Sequence, residues 1–150
     1  MDLQLNNKKA LITGSTASIG YAIAKQLANA NVHVYINGRT NERVEATIKK
    51  LKTETGNQNI EGFAVDFSES KQIENLIKQL PEIDILVNNV GIFEPKAFKD
   101  ISDADWFKFF EVNILSGNGL HVLTLIKCLK KTGDELFSFP ANQQYRYLMK

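Results

Sequence analysis

Thr13-Gly-Ser-Thr-Ala-Ser-Ile-Gly20 lies between a short apolar run, Lys9 to Thr13, and a segment, Ile19 to Ala28, whose apolar residues recur at helical spacing. The order is therefore strand, glycine turn, helix. Gly14 can take the positive φ that a sharp turn needs, and Gly20 lets the helix approach the strand closely. Backbone N–H groups and the helix dipole at such a junction can hold a pyrophosphate. The same stretch also suits a turn joining any strand to any helix. A phosphate-loop nucleotidase is disfavoured, because Gly20 is followed by Tyr21 and not by Lys and Ser/Thr.

Outward from this turn the pattern repeats. Val32 to Ile36 is β-branched and aromatic and runs into Asn37-Gly38, after which Thr40 to Leu51 places Val44, Ile48 and Leu51 on one helical face. A third strand ends at Asp66, with Ser68 as the expected N-cap of a helix carrying Ile73, Leu76, Ile77 and Leu80 up to Pro81. Ile83 to Val87 is a nearly continuous apolar run of the kind a strand covered on both faces shows. Ser102-Asp-Ala-Asp105 is a capping-box pattern opening a helix with Trp106, Phe109, Phe110, Val112 and Ile114. Four β-α passes imply a parallel sheet with helices on both faces.

Composition narrows the function classes. The chain has 150 residues, 43% hydrophobic and 23% charged, which predicts one soluble globular unit with no internal repeat. Eighteen Lys and Arg against 17 Asp and Glu leave a formal charge of +1, too balanced for a phosphate-backbone face, so nucleic acid is not an expected partner. One cysteine, Cys128, and two histidines predict neither an internal disulfide nor a structural metal. The polar N-terminus and the lack of any apolar run of membrane-spanning length predict a cytoplasmic chain without a membrane anchor.

Three further features share the position of the glycine turn. Asn37-Gly-Arg39-Thr ends the second strand, Asp66 the third and Asn88-Asn-Val-Gly91 the fourth, all expected at one crevice of an open α/β sheet. Together they resemble the short-chain dehydrogenase/reductase family over about residues 7 to 117. That family carries T-G-x-x-x-G-x-G, a strand-ending Asp, N-N-A-G and an Asn in the following helix. The reading predicts an α/β, Rossmann-like doubly wound sheet, incomplete at four parallel strands (9–13, 32–36, 60–65 and 83–88) in the order 3-2-1-4. Residues 1–117 form the dinucleotide-binding region and 118–150 a divergent tail.

The resemblance implies cofactor contact at Thr13, Gly14, Ser15, Ser18, Ile19 and Gly20, with adenine near Asp66. It gives Asn88 and Gly91 a place at the sheet edge and cofactor, and makes Asn113 the helix asparagine that holds a water of the proton relay. Two departures stand out. Ser18 replaces the middle glycine, so that either its hydroxyl donates to phosphate or its Cβ lowers affinity, and Val90 replaces a small residue and crowds the adenosine side. An acid at the end of the second strand would suit NAD, whereas Arg39 offers a guanidinium to a 2′-phosphate, so NADP is expected over NAD. The alternative for Arg39 is a solvated side chain paired with Glu42 or Glu45.

The family's hydride chemistry uses a Tyr acid, a Lys four residues on and a Ser that holds the substrate oxygen. No Tyr-x-x-x-Lys follows Asn113 in these 150 residues: Tyr145 meets Met149 at that spacing, Tyr147 lies three residues from Lys150, and Ser138 does not match the family's serine. Asn113 is then the one remaining member of the implied catalytic set. The pattern weakens after Asn118, and the formal charge passes from −2 over residues 1–117 to +3 over 118–150. Joining the last base of each codon from Asn118 onward to the first two of the next permits RLTRSYLNKMLEKNGRRVIFISSESA. That reading is the family's next helix, strand and serine segment, so a shifted frame is expected, coincidence being the other explanation.

The expected function is thus NADP(H)-dependent reduction of a carbonyl or oxidation of an alcohol, with small-molecule substrates and homo-oligomers for intact relatives, and no activity in this chain. The competing readings are a non-catalytic nucleotide-binding remnant or pseudogene product, and a divergent enzyme that takes its acid from Tyr145 or Tyr147.

Overall fold

A computed structural model describes residues 4–117 and residue 120. The chain alternates β1 (Lys9–Ile12), α1 (Ser18–Asn29), β2 (His33–Gly38), α2 (Asn41–Thr55), β3 (Ile60–Ala64), α3 (Ser70–Gln79) and β4 (Ile85–Val87), followed by α4 (Asp103–Phe110). A 3-10 turn, Phe98–Asp100, precedes α4, and a π-helical turn, Glu111–Leu115, continues it. All pairings are parallel and the strand order is β3-β2-β1-β4, as expected. The tail expected at 118–150 lies outside the described residues apart from Leu120.

Alternation along the two central strands builds two cores. Ala10, Ile12, Val34 and Ile36 face one side, where Ala24 and Ala28 of α1 and Val44 and Leu51 of α2 cover them. Leu11 and Tyr35 point to the other side and meet Leu76, Leu80, Ile83 and Leu120. Small residues on α1 let its backbone approach the sheet, and the helices divide between the faces in the doubly wound manner.

Local boundaries show where tertiary contacts decide. α2 runs four residues beyond Leu51 to Thr55 and stops at Gly56, whose φ of 74° is the left-handed helix cap that glycine takes without a Cβ penalty. Ser68 is not the cap of α3. Glu69 occupies that position, and Ser68 instead donates through N and Oγ to Asp66 Oδ1 at 2.9 and 2.7 Å. Ser102 does form the expected capping box with Asp105. β4 is shorter than expected, and just before it the Asp84 carboxylate accepts the Lys9 N–H at 2.9 Å while pairing with Lys8. Among the described residues no helix is long and apolar enough to cross a membrane, and no three His, Cys, Asp or Glu side chains converge on a metal position.

Candidate functional site

The chain crosses from the β2 side of β1 to the β4 side, so the C-terminal ends of these two strands diverge and leave a crevice at the switch point. The glycine loop fills the floor of that crevice. Gly14 has φ 60°, and its N–H donates to the side-chain Oδ1 of Asn37 at 3.0 Å. Asn37 is buried at the end of β2, and its Nδ2 donates to the carbonyls of Phe63 (3.2 Å) and Val65 (3.1 Å). One carboxamide therefore ties the loop after β1 to the end of β3.

A second carboxamide holds the loop from the other side. Asn89 Nδ2 donates to the carbonyls of Thr13 and Gly14, both at 3.1 Å, while Thr13 Oγ1 accepts the N–H groups of Asn89 (2.8 Å) and Val90 (3.1 Å). The start of α1 is pressed against this frame. A Cβ on Gly20 would lie 2.5 Å from the Gly14 carbonyl oxygen and 2.6 Å from Asn89 Nδ2, so glycine is required there. At Gly38 a Cβ would fall on the Thr16 side chain, which brings the end of β2 against the loop.

Above the frame lies a cleft of about 530 Å³. Six of the expected site residues line it: Gly14, Ser18, Ile19, Arg39, Asp66 and Gly91. Thr13, Ser15 and Gly20 are buried behind the lining. Ser15 is turned inward: its N–H donates to Asn37 O at 2.8 Å and its Oγ to Ile12 O at 2.7 Å. Thr13 is likewise a strut, with Oγ1 donating to Val87 O at 3.3 Å. Asn88 lies outside the lining and its Nδ2 donates to Gly117 O at 3.4 Å, while Asn89 bonds the loop after β1.

Asn113 sits in the π-helical turn and bonds the segment after β4. Ile92 N donates to Asn113 Oδ1 at 2.7 Å, and Asn113 Nδ2 donates to Ile92 O at 3.1 Å. Two ion pairs, Lys108–Glu94 at 2.7 Å and Lys96–Asp105 at 2.6 Å, join the same segment to α4.

The electrostatics differ along the cleft. Both Ser68 donors hold the Asp66 carboxyl below the ordinary aspartate value against the opposing effect of burial, and the Arg39 guanidinium adds a smaller pull in the same direction. Asp66 is therefore an anion at neutral pH, positioned as an acceptor. Arg39 is exposed and makes no ion pair among the described residues, so pairing with Glu42 or Glu45 is not what the structure shows. Ser18 keeps a φ of 50° at the start of α1, a conformation that costs any residue with a Cβ about 1–2 kcal/mol.

Fold and cleft define a doubly wound α/β protein with a glycine-rich loop at its switch point. The short chain dehydrogenase family model matches residues 8–133, and the chain belongs to that family. The match continues past Gly117, where the sequence pattern weakens. Over 117 residues the chain is 50% identical to an uncharacterized oxidoreductase, YvaG, of Bacillus subtilis (strain 168), covering 78% of this chain and 44% of that protein. It is 36% identical over 120 residues to the 3-oxoacyl-[acyl-carrier-protein] reductase FabG of Aquifex aeolicus (strain VF5), covering 76% and 47%. Among solved structures, L-sorbose reductase from Gluconobacter frateurii complexed with NADPH and L-sorbose superposes with a TM-score of 0.77 at 26% identity, covering 83% of this chain and 49% of that one. The chain thus spans about half the length of the relatives it matches.

Proposed function

We propose that the cleft binds NADP(H), and that residues 7–117 are the cofactor-binding part of an oxidoreductase acting on small carbonyl or alcohol substrates. The observation that carries this reading is the convergence on one cleft of the glycine loop, the unpaired Arg39 and the Asp66 carboxylate. The residues suit the cofactor. The loop wall from Thr16 to Ile19 at the start of α1 faces a pyrophosphate, Asp66 accepts from the adenine amine, and Arg39 meets the 2′-phosphate. Bound there, the nicotinamide would supply or accept a hydride. Gly91 and Ile92 line the cleft near Asn113, which holds the Ile92 backbone by both its N–H and its carbonyl. The relay water implied for Asn113 would need another acceptor than its side-chain oxygen, which already serves Ile92.

Proton delivery of the family's kind has no visible source at the cleft: the Tyr-x-x-x-Lys at Tyr21 to Lys25 lies on α1 outside the cleft lining, with the Tyr21 hydroxyl donating to Glu54, and none follows Asn113. The chain therefore binds cofactor without reducing a carbonyl, and a version with the frame restored at codon 118 gains that activity. The test is NADPH oxidation with a panel of carbonyl substrates, together with titration of NADPH and NADH against wild type and Arg39→Ala. Expected are no turnover by the short chain, turnover by the restored one, and a preference for NADPH that Arg39→Ala removes. Turnover by the short chain that Tyr145→Phe or Tyr147→Phe abolishes would overturn the non-catalytic reading, and unchanged discrimination in Arg39→Ala would remove Arg39 from it.

A further inference from the structure

Arg39 is not the only cation on its side of the cleft. Arg43, in the first turn of α2, lines the same cleft. Three local features put it there. Gly38 packs on Thr16 and so brings the end of β2 against the glycine loop. The Thr40 hydroxyl accepts the Arg43 N–H at 3.4 Å, which fixes the first turn of α2. The short link between Gly38 and α2 then leaves both arginines at one cleft, Arg39 from the link and Arg43 from the first turn of the helix.

Both guanidinium groups are open to a ligand. Arg39 and Arg43 are exposed, and neither forms an ion pair among the described residues. The nearest acid in sequence, Glu42, forms no ion pair with either arginine, and its carboxyl is held below the usual glutamate value by its own backbone N–H and the Thr40 side chain. At the far side of the cleft the charges cancel, because Lys108 and Glu94 pair with each other. The Arg39 and Arg43 end thus sets two guanidinium groups against one nearby carboxylate, Asp66, and is net cationic.

We infer that Arg43 is a second specificity-determining residue, which with Arg39 grips the terminal phosphomonoester of the cofactor between two guanidinium groups. This inference rests on the reading of the cleft as an NADP(H) site. A phosphomonoester presents three acceptor oxygens, and two planar five-donor forks can engage it from two directions where one fork leaves an oxygen to water. NADH carries a hydroxyl at that position and gains nothing from the second cation. Arg43 therefore raises the preference for NADPH without changing affinity for NADH.

The experiment is calorimetric titration of the 150-residue chain and its Arg43→Ala, Arg43→Lys and Arg39→Ala variants with NADPH, NADH and 2′,5′-ADP. Arg43→Ala is expected to reduce the NADPH-over-NADH preference about tenfold, to weaken 2′,5′-ADP in parallel, and to leave NADH affinity unchanged. Arg43→Lys, which keeps the charge without the fork, falls between Arg43→Ala and wild type. If Arg39→Ala abolishes the preference while both Arg43 variants keep it, the inference is overturned and the NADP(H) reading stands. Equal weakening of both cofactors by Arg43→Ala would also overturn it, as a general effect on the fold. A wild-type chain with no preference for NADPH sinks the reading and the inference together.

Discussion

Asn37 Oδ1 accepts the Gly14 N–H at 3.0 Å while Asn37 Nδ2 spans to the carbonyls of Phe63 and Val65, so the turn under the cleft and the end of β3 hang on one buried carboxamide. Truncation strands a backbone donor and two carbonyls in the interior. Asn37→Ala is expected to destabilise the chain by roughly 3 kcal/mol, since each buried unsatisfied group costs about 1–3 kcal/mol. Urea denaturation measures the loss, and a change below about 1 kcal/mol would show that water replaces the side chain freely.

Gly20 makes a steric prediction. Gly20→Ala sets a methyl group 2.5 Å from the Gly14 carbonyl and 2.6 Å from Asn89 Nδ2, so α1 or the loop has to shift. The expected cost is about 2–3 kcal/mol, as for overpacking elsewhere. Cofactor affinity should fall with it, because the displaced atoms form the cleft floor. A variant with wild-type melting temperature and affinity would mean that the approach of α1 is not tight.

The opposite effect is expected at Ser18. Its φ of 50° is left-handed, so Ser18→Gly removes backbone strain, partly offset by the greater freedom of glycine in the unfolded chain. The net gain is about 0.5–1 kcal/mol, read as a higher melting temperature. If NADPH affinity also rises, the Cβ hinders phosphate. If it falls, the hydroxyl is a donor.

These positions show what the sequence made legible. Strand order, the capping box at Ser102 and the positions of Gly14 and Gly20 follow from local pattern, which fixes local conformation. The two carboxamide struts do not, because Asn37 and Asn89 find their partners 23 to 76 residues away in sequence. An asparagine at a strand end was the available signal in each case. Ser15 reads as a ligand contact in the linear motif, and only the fold turns it inward toward Ile12 and Asn37. The extension of α2 to Thr55 was hidden by a polar stretch without apolar period, although Gly56 marks its end. Likewise, helical spacing showed the aromatic run of α4 without showing that Trp106, Phe107 and Phe110 stay exposed.

Asp66 predicts a pH dependence. Its carboxyl is held below the ordinary value of 3.8, chiefly by the Ser68 N–H and hydroxyl. A depressed folded value means stability that is fully present above pH 3.8 and lost as pH falls through the lower folded value. Asp66→Asn and Ser68→Ala should each flatten the loss of stability below pH 4, measured as melting temperature against pH. An acid limb unchanged in both variants would show that the Asx turn contributes nothing to folding.

The central claim is that a nicotinamide dinucleotide phosphate occupies the cleft between the glycine loop, Arg39 and Asp66. It is tested most directly by titrating the isotopically labelled 150-residue chain with NADPH and following its backbone amide resonances. Saturable shifts are expected, concentrated at Ala17 to Ile19, at Arg39 and at Asp66 to Ser68, with weaker changes at the same amides for NADH. Shifts confined to residues away from the cleft, or none at saturating NADPH, would contradict it.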